Sequence, residues 1–536
     1  MNTYFALTIG PIQKTLLQAQ RTREFWGSSY LFSWIMREII NGLIEKKSIC
    51  KEDILMPNRD SHNNPKMGTG LYHDRMIAQI NTDKKDIMLR DFKEIADKVM
   101  NKISKASENS VVDMALLQSY FRLNAIFLNL ENEKNIVEIV TNYLDSLELQ
   151  NPIFHESFKI DWQELIFNLN KNIFYDDAAV DRFFPSIPEI ATKGLVHLEQ
   201  KRYQQYVKQE IYQIFQNDNL PNKKNETTAQ DNFIKELSND PNFRDAFHNY
   251  HKYVAIVHAD GDNLGDTIRK IGDKAEEVKR LSRALFSFAS KAVDNISLYG
   301  GTNVYAGGDD LLFFAPVAIL GTNGQQTIFD LISELDELFN REICRKPEIS
   351  EILPNIWPTL SWGVSISYYK FPLTEALNSS RNLLFNDAKN YEGKNAVAFK
   401  LTKHSGQSFG ATFGKGSNVY KQFIDLLNNK FNNKTEFINS LQYHIFENQA
   451  LIKEVLRIED DYERETKITN YFTNFFDEEI HYEKNDFISN VQKILIHSFN
   501  DSYGRDNNHD QRVNSAIDIT YSALRFIHCL NSKSDE

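Results

Sequence analysis

Two stretches of this sequence hold residues that could do chemistry together. "YAGGDDLLFF", Tyr305 to Phe314, sets two glycines before two adjacent aspartates, with apolar residues on both sides. Adjacent carboxylates repel, and a strand-like apolar run is a costly place to hold them. Glycines tolerate the positive φ of a tight hairpin and let other groups approach the backbone. Gly307 and Gly308 therefore put Asp309 and Asp310 at a hairpin tip. Upstream, "VHADGDNLG" ends a β-branched run with Asp260, Gly261, Asp262, Asn263 and Gly265. If the two elements are neighbours, Asp260, Asp309 and Asp310 converge and raise one another's pKa values. A divalent cation removes that problem, since Mg²⁺ or Mn²⁺ takes oxygen ligands and is shared between carboxylates and substrate phosphates. Two ions about 3.5–4 Å apart would stabilise both the attacking and the leaving oxygen of an in-line displacement at phosphorus. A polar hairpin tip with solvated aspartates would explain GGDD by itself. It does not explain the second acidic stretch at the end of a preceding strand.

These carboxylates need strands to carry them and helices to fix the strands. "KYVAIVHADGDNLG" reads as a strand ending in a polar turn, and "AEEVKRLSRALFSFASKAV" as a helix with Val278, Leu281, Leu285, Phe288 and Ala292 on one face. "GTNVYA" and "LLFFAPV" are strands flanking GGDD, and "QQTIFDLISELDELFNREI" is a second helix. "TLSWGVSISYY" is a strand, and "FPLTEALNSSRNLLFNDAKN" is a helix with Pro372 near its start. "NAVAFKL" is a last strand. The order β-α-β-hairpin-α-β-α-β predicts a ferredoxin-like sheet with helices on one face. The chain opens with a faint echo of this unit: "TYFALTIGPIQ" is a strand, and helical spacing follows through Trp26, Tyr30, Trp34 and Ile39. Residues 57–70 are loop chemistry. Residues 85–215 read as mostly helical, with "IFLNLENEKNIVEIVTNYLDSLEL" as one helix. Residues 217–232 are polar and read as an exposed linker, and 415–536 return to helices.

The 536 residues suggest about three to four domains. A hydrophobic content of 41% with 25% charged residues fits a globular protein with real cores. The net charge of −12 argues against a chain that grips nucleic acid alone over its whole surface, so any such contact is local or made by partner subunits. The cysteines, Cys50, Cys344 and Cys529, are scattered and odd in number, so neither a disulfide framework nor a zinc site is expected, and a cytoplasmic home is. No signal peptide or membrane span is read.

At these residues the sequence resembles a known family. "VHADGDNLG", "YAGGDDLLFFAP", "LSWGVSISYYKFPLTEAL" and "DAKNYEGKNAVAF" look like the second Palm domain of the large polymerase-type subunit of type III CRISPR effector complexes. "TIGPIQKTLLQAQRTREFWGSSYLFS" resembles the first Palm domain of the Cmr-type (III-B) branch. The resemblance implies an α+β protein: a first Palm at 1–110, a helical domain at 111–245, a second Palm at 246–405 and a helical domain at 406–536. It implies that the second Palm joins ATP through 3′–5′ linkages when target RNA binds a complex of crRNA and other III-B subunits. Cyclic oligoadenylate is the usual product, and the motif also admits a conjugate with an acceptor such as S-adenosylmethionine. By position, Asp260 and Asp309 would hold metal and Asp310 would assist. Gly307 and Gly308 would shape the hairpin against the triphosphate. Gly261, Asp262, Asn263 and Gly265 would line the nucleotide turn, with Lys389 and Lys394 suited to phosphate.

The sequence also departs from the family pattern. An HD nuclease domain and a four-cysteine zinc site are not expected, and His73-Asp74 reads as a Palm-associated loop. The first Palm has Gly10-Pro11-Ile12-Gln13 where the second has its carboxylates, so it is expected to bind the other nucleotide, with Arg21 and Arg23 near phosphate or RNA. Two rival readings are a catalytically quiet scaffold and a GGDEF-like cyclic dinucleotide synthase. The second wants Glu where Asp310 stands.

Overall fold

A computed structural model describes residues 2–58, 68–107, 114–130, 135–149, 161–177, 184–212, 223–271, 274–321, 324–353, 357–428, 435–476, 484–501 and 509–533. Two sheets organise the chain. The first contains β1 (Asn2–Gly10), β2 (Ile54–Met56), β3 (Arg75–Ile80) and β4 (Arg122–Leu130), in the order β2-β3-β1-β4. The second contains β5 (Tyr253–Asp262), β6 (Thr302–Gly307), β7 (Asp310–Pro316), β10 (Thr359–Tyr368), β11 (Ala396–Thr402) and β12 (Ser408–Gly414). Its order is β12-β11-β10-β5-β7-β6. A separate hairpin pairs β8 (Ala318–Gly321) with β9 (Gly324–Thr327). In each unit the first strand lies between the third and the fourth, with the second outside the third. Both are therefore ferredoxin-like, and the echo at the N-terminus is a repeat of the fold.

Strand alternation explains why β1 is apolar throughout. Phe5, Leu7 and Ile9 pack into a core with the Thr22–Glu45 and Lys85–Ala106 helices. Tyr4 and Ala6 point the other way, into a core shared with the Ala275–Leu298 helix of the second unit. Both faces of the sheet are covered, so the usual polar face is missing. β5 behaves alike. Ala255, Val257 and Ala259 join the Ala275–Leu298 and Ile328–Phe339 helices. Val254 and Ile256 join the Leu373–Asn382 helix. Helices thus cover both faces of the second sheet, not one.

Five expectations need correction. The "IFLNL…" stretch is not one helix: Arg122–Leu130 pairs along the whole of β1, and the helix is Ile136–Glu148. Available pairing edge outweighed local helix propensity there. The first Palm unit therefore runs beyond residue 110. The second runs beyond 405, because β12 pairs with β11. The linker at 217–232 is helical from Lys223 on, within Lys223–Asn239, because Ala229, Phe233, Ile234 and Leu237 make one buried face; residues 217–222 lie outside the described residues. Arg21 and Arg23 are not free for phosphate or RNA. Both pair with Glu226 of that helix, Arg23 at 2.6 Å, and Glu226 is 7% exposed.

Candidate active site at the β6–β7 hairpin

β5 is a central strand, flanked by β10 and β7. His258 shares the face of Val254 and Ile256, and its Nδ1 lies 2.8 Å from Ser380 Oγ on the Leu373–Asn382 helix. Asp260 and Asp262 follow on the same face. The helix continues in a wider turn, with the amide of Lys389 donating to Leu384 O at 2.8 Å, five residues back. That turn sets Lys389 over the end of β5. Its Nζ is 2.7 Å from Asp260 Oδ2 and 3.0 Å from Asp262 Oδ1, and it also donates to the carbonyl of Gly261.

The hairpin meets β5 from the other side. Gly307 pairs with Asp310, leaving Gly308 and Asp309 as the two-residue turn. Gly308 has φ +68°, a conformation in which a side chain is strained. Asp309 Oδ2 accepts from the amide of Gly261 at 3.2 Å. A Cβ on Gly261 would lie 2.2 Å from that oxygen, so only glycine lets the tip seat there. Burial, and then the Asp260 carboxylate, pushes Asp309 up to about 6. Burial, and then Asp260, Asp309 and Asp74, pushes Asp310 well above the usual carboxylate range. Asp310 is nonetheless exposed to solvent. The crowding of like charge is the cause that this solvent contact leaves standing.

The three predicted carboxylates thus come together at one end of the sheet. Their oxygen chemistry fits a hard divalent cation. Among the described residues, however, no group of three His, Cys, Asp or Glu side chains stands ready to hold a metal. Lys389 is the counter-charge instead.

The other predicted residues divide. Asn263, at φ +61°, turns the chain into the Leu264–Ile271 helix, and its carbonyl accepts from the Thr267 amide at 3.3 Å. Gly265 faces open space and Lys394 is exposed; no hydrogen bond or ion pair among the described residues ties the Lys394 side chain to the carboxylates. Asp262 turns inward and does not line a nucleotide turn. It is 0% exposed, and its Oδ2 accepts from Thr359 Oγ1 (2.9 Å), Ser361 Oγ (2.8 Å) and Asn395 N (3.0 Å). Lys389 is held by the Asp260 and Asp262 carboxylates. The space at Gly307 and Gly308 is filled from within the protein: a Cβ would lie 1.8 Å from Tyr305 Oη at the first and 2.7 Å from His73 Cε1 at the second.

His73 and Asp74, expected in a Palm-associated loop, lie in the loop before β3 beside the hairpin, together with Tyr305, for which the sequence carried no expectation. Tyr305 Oη lies 3.4 Å from His73 Nδ1, and Ala306 N donates to Gly70 O at 3.1 Å, so the loop entering β3 is fastened to the hairpin. Burial lowers His73 to about 4, so it is neutral there at pH 7. The signal was the repeat itself. Asp74 immediately precedes β3, and its carbonyl accepts from Ile9 N at 2.9 Å. Like Asp310 at the start of β7, it stands at the head of the strand that pairs with the first strand of its unit.

A family model for "Cas10/Cmr2, second palm domain" matches residues 253–398, and one for "CRISPR-associated protein Cmr2, N-terminal" matches 4–166. The chain is 32% identical over 199 residues to "CRISPR system Cmr subunit Cmr2" of Pyrococcus furiosus, covering 33% of this chain and 20% of that subunit. Among solved structures, the type III-B Cmr-beta complex bound to cognate target RNA contains a chain similar at TM-score 0.54 and 12% identity, covering 88% of this chain and 78% of that one. A Csm1–Csm4 cassette in complex with AMPPNP is similar at TM-score 0.50 and 13% identity, covering 98% and 70%. At such identities the structural matches speak for the fold.

Proposed function

The chain belongs to the Cas10/Cmr2 family, and from that premise we propose that it is the target-RNA-activated nucleotidyltransferase subunit of a type III-B CRISPR complex. A hydroxyl of a bound acceptor attacks the α-phosphate of ATP. The new O–P bond forms as the α–β anhydride bond breaks, and pyrophosphate leaves. The observation that carries this reading is the seating of the Asp309–Asp310 tip on the strand end that bears Asp260, with Asp309 Oδ2 3.2 Å from Gly261 N.

In this reading Asp260 and Asp309 hold the charge that a cation needs, and Asp310 assists from the start of β7. Two Mg²⁺ or Mn²⁺ ions, when bound, lower the pKa of the attacking hydroxyl and offset charge on the leaving pyrophosphate. Asp262 holds β10 and the 393–395 turn to β5, so Asp260 keeps its direction. The 68–74 loop of the first unit backs the hairpin and meets Tyr305 of β6. The acceptor is a second ATP, giving cyclic oligoadenylate, or another hydroxyl-bearing ligand such as S-adenosylmethionine. The proposed partners are the other III-B subunits, crRNA and target RNA, in the cytoplasm; no described helix is long and apolar enough to cross a membrane.

The scaffold reading has one observation in its favour, the hold of Lys389 on Asp260 with no assembled metal set among the described residues. One experiment separates the two. The RNA-bound complex is incubated with ATP and candidate acceptors, and products are read by mass spectrometry and pyrophosphate release. Asp309→Ala with Asp310→Ala should abolish both signals and leave assembly intact. Equal product from that double variant would remove the mechanism.

A further inference from the structure

Lys389 makes the most direct contact that any cation in the described structure has with the candidate site. It touches Asp260 Oδ2 at 2.7 Å and Asp262 Oδ1 at 3.0 Å, and is 14% exposed at the side chain. A divalent ion on Asp260 would stand within a few ångström of this ammonium, and like charges so close in a half-buried site repel strongly. The carboxylates meanwhile form no ready ligand group among the described residues.

We propose that Lys389 is a resident counter-cation that withholds Asp260 from a divalent ion until a nucleoside triphosphate is bound, so that metal and nucleotide enter together. The inference rests on reading the site as a nucleotidyl-transfer centre. Two features let the lysine leave. Its head is a compact ammonium on a flexible four-carbon stem, with no planar fork to lock it onto one carboxylate. Asp262 keeps three other donors, from Thr359, Ser361 and Asn395, so departure of Lys389 does not strand a wholly unpaired buried charge. A triphosphate supplies what the exchange needs. Its oxygens draw the ammonium off Asp260 and complete the oxygen shell of the ion. Lys389 is thus a positioning residue whose two partners are a carboxylate at rest and a phosphate when loaded.

The test is Mn²⁺ binding to the full chain, read from the electron paramagnetic resonance signal of free Mn²⁺, with and without α,β-methylene-ATP. The wild type should bind Mn²⁺ weakly alone and at least about tenfold more tightly with the analogue. Lys389→Met should bind at least about tenfold more tightly than wild type without nucleotide, and adding Asp309→Ala and Asp310→Ala should erase that gain. Unchanged or weaker Mn²⁺ affinity in a folded Lys389→Met protein would overturn the proposal. If that variant does not fold, Lys389→Arg decides. Its planar fork should grip Asp260 and weaken nucleotide-dependent Mn²⁺ binding about tenfold or more, and unaltered binding overturns the idea. No turnover enters these measurements. Loss of pyrophosphate release from the wild-type complex would sink the functional reading alone, and an unmoved Mn²⁺ affinity would sink the counter-cation alone.

Discussion

Asp309 Oδ2 lies 3.2 Å from the backbone nitrogen of Gly261, so the tip of one hairpin is tied to the end of the strand that carries Asp260. The contact joins residues far apart in sequence through an amide whose own Cα has no side chain. The placement of the acidic residues rests on this close approach.

Gly261→Ala should therefore separate fold from activity. Its Cβ would meet Asp309 Oδ2 at 2.2 Å and Leu264 Cδ1 at 2.5 Å, forcing the tip away. Overpacking of this kind costs about 1–3 kcal/mol. Misplacing a reacting group by about 1 Å can cost 10²-fold in rate. Pyrophosphate release by the assembled complex should fall by about that factor or more, while the protein still folds by circular dichroism. Full activity would show that the seating of the tip is irrelevant.

The pH dependence of stability carries the mark of Asp309. Its folded pKa is raised from 3.8 to about 6, so the native state holds a proton that the unfolded chain has lost. Stability from this group is present below about pH 4 and is lost as pH rises through about 6. Between pH 4 and 7 without divalent ions, the melting temperature of wild type should drop by a few degrees relative to Asp309→Asn. Millimolar Mg²⁺ with nucleotide should close the gap at pH 7. Parallel profiles for the two proteins would refute the assignment.

Asp262 should behave as a structural anion. Asp262→Ala removes the acceptor for Thr359, Ser361 and Asn395 and leaves them and Lys389 around a void. Breaking a buried pair in this way costs roughly 3–5 kcal/mol. Asp262→Asn, which keeps an acceptor oxygen, should lose less. Thermal melts of the three proteins check the order, and an unaffected Asp262→Ala would show that the carboxylate does not hold these strands.

Much of the candidate site was legible because it is written locally. GGDD between apolar runs names its own hairpin, and "HADGDN" at a strand end supplies the matching carboxylate. What was not legible depended on pairing between distant segments. β4 was hidden in a helical-looking stretch because its partner, β1, lies at the other end of the unit. The polar tract before Asn239 concealed a helix whose charged Glu226 is buried against Arg21 and Arg23.

The sequence by itself determined the acidic motif, the order of the second unit and the likeness to a family, because turn chemistry and strand alternation act within a few residues. Tertiary structure alone decided which acids face the site and which hold it up. Asp260 and Asp262 share one strand face, yet the first reaches the site and the second is sealed beneath Lys389. It also decided that His73 and Asp74, from the other sheet, stand beside Gly308 and Asp310. Burial and charge proximity are properties of the packed chain, and no spacing along the sequence encodes them.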